Sequence, residues 1–388
     1  MKPTMRTILS QPSWILQTPQ VTLALTQRGG HMAPVTFCRD RGGVQPYYIS
    51  PWQGENRKLG APVLVPLRGD FFCLPFGGNG EAVRGEKHPP HGETAGSMWR
   101  FLAQERQGKT VKLTVALRPK VRPGKVTKEV ALVEGHNAVY LQHTLEDFSS
   151  TSRGEAAFPV AHHCTLAVPE EPGAMRVWTS PIRFGQTNPA LFSDPANREY
   201  QSLAIGAKFE NLRRVPLLWK DPAVGDCTRF PVRRGFTDLL AVVNKPGPIG
   251  WTAAVCPSAG YLWYALKLPS QLPLTVFWID NGGRHGEPWN GRSRCLGLED
   301  ACGYFADGLA ASLRPNALVR QGVPTAITLP AGQATVIRHI QGVVKIPHTF
   351  DSVSRVELDA GRLAFISPGG RNVRTPVRHE FLRTGQLE

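Results

Sequence analysis

The sequence has no Cys-x-x-Cys pair, no long apolar run and little helical periodicity, and each absence removes a class of protein. Its seven cysteines, Cys38, Cys73, Cys164, Cys227, Cys256, Cys295 and Cys302, stand far apart. An odd number at wide spacing argues against a disulfide framework or a zinc module and predicts buried free thiols in a reducing, cytoplasmic compartment. The longest uncharged stretch lies between Lys245 and Lys267 and contains Pro246, Pro248, Pro257 and several glycines, so a membrane helix is not expected there. The opening fourteen residues lack the apolar core and cleavage site of a secretory leader.

Phosphate-binding and hydrolase signatures are missing too. Gly108-Lys109-Thr110 would need glycine where Ala103 stands, and Gly78-Asn79-Gly80 is followed by Val83 rather than a third glycine. Cys256-Pro257-Ser258-Ala259-Gly260 lacks the first glycine of a nucleophile elbow, and no His-Glu-x-x-His occurs. A kinase, a dinucleotide-dependent dehydrogenase and an α/β-hydrolase are therefore disfavoured.

What is present is an excess of turn formers at ordinary hydrophobicity: 39 glycines and 34 prolines in 388 residues, with 41% hydrophobic residues. That combination predicts many short strands joined by many turns. Alternating segments support it at 21–26, 111–115, 239–243, 261–266, 274–279 and 334–340. Residues 130–133 and 138–141 flank Glu134-Gly135-His136-Asn137 and read as a hairpin. One short helix is expected within 299–313. No repeat and no long linker divides the chain, so one domain over 1–388 is expected. The net charge of +15 suits an anionic small molecule as well as a polyanion. Its densest run (Arg118, Lys120, Arg122, Lys125, Lys128) is broken by prolines and lacks any nucleic-acid signature, so neither nucleic acid nor a membrane is expected as a partner.

Three segments concentrate Gly, His, Trp and acids. The first runs Arg68-Gly69-Asp70-Phe71-Phe72-Cys73-Leu74-Pro75-Phe76-Gly77, then His91-Gly92-Glu93-Thr94-Ala95-Gly96 and Trp99. The second is Phe158-Pro159-Val160-Ala161-His162-His163-Cys164-Thr165-Leu166. The third contains Trp278, Asp280-Asn281-Gly282-Gly283-Arg284, Trp289-Asn290 and Leu296-Gly297-Leu298-Glu299-Asp300. Trp278, Trp289, Asn281, Arg284 and Asn290 supply the aromatic platforms and forked polar groups that a sugar ring needs.

In order and spacing this set resembles the aldose 1-epimerase (galactose mutarotase-like) superfamily, over roughly residues 20–345. The first segment is similar to the Arg-Gly-Gly-Ile-Pro, Phe-Gly and His-Gly-Phe-Ala-Arg elements of the hexose-6-phosphate epimerase branch. His163-Cys164-Thr165-Leu166 is similar to the family's strand-borne histidine, and Gly297-Leu298-Glu299-Asp300 to its late glutamate. The resemblance implies an all-β supersandwich of large antiparallel sheets with few short helices. It also implies anomer interconversion of a monosaccharide or sugar phosphate without metal or cofactor, by a monomer or homodimer.

Glu299 would be the general base and His163 the general acid, with His162 as the alternative and His91 near the ring oxygen. Arg68 and Arg284 would grip hydroxyls or an anion, and Asp238 would grip hydroxyls or cap a turn. The arginine closing His-Gly-Phe-Ala-Arg is Gly96 here, which leaves Arg68, Arg84 or Arg100 to hold any phosphate. Binding without catalysis, or a glycosidase or lyase on the same fold, are the alternatives.

Overall fold

The computed structural model describes residues 3–148, 156–219 and 224–387. An eleven-stranded and a nine-stranded antiparallel sheet face each other. The centre of the first sheet is the strand sequence Asp70–Cys73, Val160–Ala167, Arg294–Cys302, Leu274–Asn281 and Phe236–Asn244, neighbours in that order. The second is centred on Gly250–Cys256, Tyr261–Lys267, Thr335–Lys345 and Ala138–Glu146. Among the described residues no helix is long and apolar enough to cross a membrane.

The segments that alternate in sequence become strands with one face in the core. In Thr110–Leu117, for example, Val111, Leu113, Val115 and Leu117 are buried while the residues between them are half-buried. The 130–141 hairpin forms between Lys125–Val133 and Ala138–Glu146. The uncharged stretch before Lys267 is explained by burial on two sides. Gly250–Cys256 and Tyr261–Lys267 pack inward against the other sheet, and outward against the small sheet Arg355–Asp359, Arg362–Ile366, Asn372–Pro376 and the helix Phe381–Thr384. Both faces being covered, a charge on either strand needs a buried partner, and Lys267 has one in Asp300. All seven cysteines are buried and unpaired.

The expected helix within 299–313 is shorter and later. Glu299 lies on the strand Arg294–Cys302 and only Leu309–Leu313 is α-helical. Gly303 and Gly308 do not favour a longer helix, and the strand's edges are satisfied by two partners.

The interface between the sheets holds a polar network as well as hydrocarbon. His339 Nε2 lies 2.8 Å from Asp300 Oδ2, and Lys267 Nζ 2.7 Å from Asp300 Oδ1. Gln341 Nε2 donates to Asp70 Oδ1 at 2.8 Å, and His162 Nδ1 is 3.5 Å from Asp70. The His162 and His339 rings stack at 4.3 Å. Each carboxylate belongs to the eleven-stranded sheet and each of Lys267, His339 and Gln341 to the other, so the charge pairs fix how the two sheets register. The basic run splits accordingly. Lys128 is buried and donates to Gly30 O, Arg122 is buried on Glu86, and Arg118, Lys120 and Lys125 stay at the surface groove.

Candidate active site

The outer face of the eleven-stranded sheet carries a cleft of about 520 Å³, its open mouth included. Pleating explains which chemical groups reach it. Successive residues of a strand point to opposite faces. On Val160–Ala167 the His162 side chain enters the intersheet network, and that of His163 enters the cleft. On Arg294–Cys302 the same alternation sends Asp300 inward and Glu299 outward. These strands are direct neighbours, and His163 Nε2 and Glu299 Oε1 meet at 3.2 Å. His162 is thus removed from the cleft, and His163 is the histidine beside the carboxylate.

His91 arrives from a loop that folds back on Asp70–Cys73. Its backbone N–H donates to Gly77 O at 2.7 Å, its φ is +60°, and its Nδ1 lies 3.6 Å from the Cys73 thiol. The His91 and His163 rings meet edge to face at 4.9 Å. Burial pushes the Cys73 thiol well up, so it stays protonated beside Nδ1, and the His91 tautomer decides which of the two donates. Gly92 makes the loop possible: its φ is +76°, and a Cβ there would stand 1.9 Å from Leu74 O. Gly92→Ala is expected to combine backbone strain of about 1–3 kcal/mol with that clash. A thermal melt should show a lowered midpoint, and the surviving fold should have a displaced His91. A melt unchanged within about 1 °C would contradict the geometry.

Burial sets the proton affinities. Glu299 is 2% exposed, its Oε2 has no hydrogen-bond partner, and its pKa is pushed up to about 8. Burial lowers His91 to about 4. It lowers His163 well below the usual histidine range, helped by repulsion from His91 and His31. His163 Nδ1 rests 3.3 Å from Thr165 Oγ1, and its ring stacks on Phe71 at 4.5 Å. A raised carboxyl against a lowered imidazole makes a pair that holds one proton at neutral pH.

Aromatic side chains form the upper walls. Trp278 sits opposite Gly297 on the neighbouring strand, edge to face with Trp289 at 5.4 Å, and Trp52 buttresses Trp289 at 4.6 Å. Arg284 lies over Phe192 and Trp289, at 5.0 and 6.0 Å from the ring centres. Two acids attend it: Glu199 Oε2 is 3.7 Å from Nη1, and Asp280 Oδ1 accepts its backbone N–H at 3.1 Å.

Several residues expected at the sugar are structural. Arg68 is buried; it donates from Nε to Pro66 O, from Nη1 to Ile8 O, and from Nη2 to Leu9 O and Gln53. Asp238 accepts from Ser202 N, Leu203 N and Ser202 Oγ at 2.6–2.9 Å, capping a loop. Asn281 donates to Val232 O at 2.6 Å. Asn290 is an exposed turn residue with φ +51°. None of these four lines the cleft, nor do Arg84 and Arg100. Sequence reading missed Glu199, which sits in a loop without pattern, and the hydrocarbon lining from Val63, Leu64, Leu67 and Ala306. Only the composition of the 61–67 run signalled the latter.

No protein-family model matches the sequence, and no curated protein does. Solved structures match its shape. A galactose mutarotase-like protein from Clostridium acetobutylicum superposes with a TM-score of 0.58 at 12% identity, covering 88% of this chain and 98% of that one. A galactose mutarotase related enzyme from Lactobacillus acidophilus gives 0.55 at 11%, covering 89% and 100%. An aldose 1-epimerase candidate from Escherichia coli K12 gives 0.56 at 12%, covering 86% and 99%. The chain has the galactose mutarotase-like all-β fold.

Proposed function

We propose that the protein is an aldose 1-epimerase, interconverting the anomers of a monosaccharide. The observation that supports this best is the Glu299–His163 contact at 3.2 Å on the floor of a cleft walled by Trp278 and Trp289. Opening a pyranose needs a proton taken from O1 and a proton given to O5 as the C1–O5 bond breaks. In the tautomer with Glu299 ionised and His163 protonated, the carboxylate takes the first and the imidazolium gives the second. The free aldehyde rotates about C1–C2. Reclosure from the other face returns both protons, because O5–H gives to His163 and Glu299 gives to the new O1. Nothing is consumed. In the tautomer with its proton on Nε2, His91 donates a hydrogen bond to the oxygen that gains charge.

The direct test is polarimetry or exchange NMR on freshly dissolved α-aldoses. Mutarotation faster than in protein-free buffer is expected, and equality with buffer for every aldose would leave only a binding protein. The pH dependence follows from the shared proton. The working form needs one proton on the pair. It is lost as pH rises through about 8, where Glu299 gives up its proton. It is also lost at a pH below the usual histidine range, where the pair takes a second proton. A bell-shaped kcat with its alkaline limb near 8 is expected. A profile still rising above pH 9 would contradict the assignment.

A further inference from the structure

We infer that the substrate is a neutral sugar with a hydrocarbon arm, a 6-deoxyhexose rather than a hexose or its 6-phosphate. This rests on the epimerase reading of the cleft. The polar groups facing the cleft are few. Glu299 and His163 serve O1 and O5, and His91 stands beside them. Two unpartnered buried donors remain on lining residues, Trp278 Nε1 and Arg284 Nε. The positions that the family resemblance assigns to hydroxyl gripping, Arg68 and Asp238, are both saturated by loop backbone and by Gln53 and Ser202.

Among the described residues the rest of the lining has no side-chain hydroxyl, amide or carboxyl. Besides the aromatic rings it is Val63, Leu64, Leu67, Leu239 and Ala306. The C6 arm is carried by C5, the ring neighbour of O5, so it must stand close to the histidines that serve O5. Apart from the N–H groups of Arg284 and Trp278, for which the hydroxyls on C2, C3 and C4 compete, that neighbourhood offers it only hydrocarbon and ring faces. A CH₃ there gains burial, whereas a CH₂OH would lose its water for at best a shared partner.

Charge excludes a phosphate on the same arm. Among the described residues Arg284 is the one guanidinium lining the cleft, and it already faces Glu199, which is 3% exposed and accepts from the His285 and Gly286 N–H groups. Asp280, buried and raised to about 7, adds partial negative charge beside it. A dianion would meet these acids and Glu299 without an unpaired cation to receive it.

The test uses matched pairs in exchange NMR with the intact protein: D-fucose against D-galactose, D-quinovose against D-glucose, and the two 6-phosphates. The kcat/KM for the 6-deoxy member is expected to exceed that of its parent by about tenfold to a hundredfold, with the phosphates slowest. Leu64→Gln, a half-buried wall position, should narrow the ratio by giving a hydroxyl a partner. Equal rates within each pair, or faster turnover of the parent or the phosphate, would overturn the deoxysugar inference and leave the epimerase reading standing. No acceleration for any sugar would overturn both.

Discussion

Glu299→Gln is expected to lower kcat for anomer interconversion by about 10²–10⁴-fold, with the affinity for the sugar changed only slightly. The amide keeps the shape of the carboxyl and can still hydrogen-bond His163 across the 3.2 Å contact, but it cannot take the proton from O1. Since Glu299 is buried and neutral at pH 7 when paired with an unprotonated imidazole, the variant introduces no unpaired charge, and the fold should survive. Rates by polarimetry and sugar affinity by calorimetry check both halves. A variant within tenfold of wild type would remove Glu299 from the chemistry. A variant that lost affinity and rate together would make it a binding group instead.

The second large effect is on stability. Acidification from pH 7.5 to 5 is expected to unfold the protein or bring it close to unfolding. Burial holds His31 at about 3, and His91, His136 and His162 at about 4. In the unfolded chain each takes up a proton near 6.5. A lowered histidine value means that the unfolded state binds more protons throughout the interval between the two values. Stability therefore falls as pH drops below about 6.5, by about 1.4 kcal/mol per pH unit for each group.

Four such groups acting together would remove several kcal/mol by pH 5.5, which is comparable with the whole stability of a typical domain. The acids join later. Burial would raise Asp300, but Lys267 and His339 override it and hold it well below the usual carboxylate range. Its contribution is present above about pH 4 and is lost below. Urea midpoints between pH 5 and 8 measure the slope. A midpoint independent of pH from 7.5 to 5.5 would show that these histidines are not held neutral by the fold.

The fold class was legible because turn formers at ordinary hydrophobicity and period-two segments leave little else for the chain to do. The 110–117 strand follows its pattern residue by residue, and the hairpin read at 130–141 forms about its turn. A short helix within 299–313 was legible, but not its start, because Gly297-Leu298-Glu299-Asp300 resembles an N-terminal helix turn locally. Its strand character comes from the two flanking strands, of which Val160–Ala167 lies far away in sequence.

At the cleft, the resemblance pointed to His91, His163 and Glu299, and the needs of a sugar ring to Trp278, Trp289 and Arg284; all six line the cavity. The resemblance could not foresee that Arg68 binds loops; for Asp238 the sequence left a turn cap open beside a sugar contact, and the cap is what forms. Those bonds depend on where Ile8, Leu9, Gln53 and Ser202 fall in space, and no local pattern carries that information. The choice between His162 and His163 was likewise undecidable from adjacency. The pleat alone resolves it, once the inner face is known.

That pleat has a consequence for how the molecule tolerates change. His162 and His163 are consecutive, as are Glu299 and Asp300, and in each couple one side chain enters the charged layer between the sheets and the other reaches the cleft. The interior therefore acts as the jig for the working groups: a shift of either strand that relieves stress around Asp300 or His162 is transmitted to Glu299 or His163 across one peptide plane. Lesions deep in the sandwich, such as a lost methyl beside Lys267, should register as slower turnover at temperatures where spectroscopy still reports an intact fold.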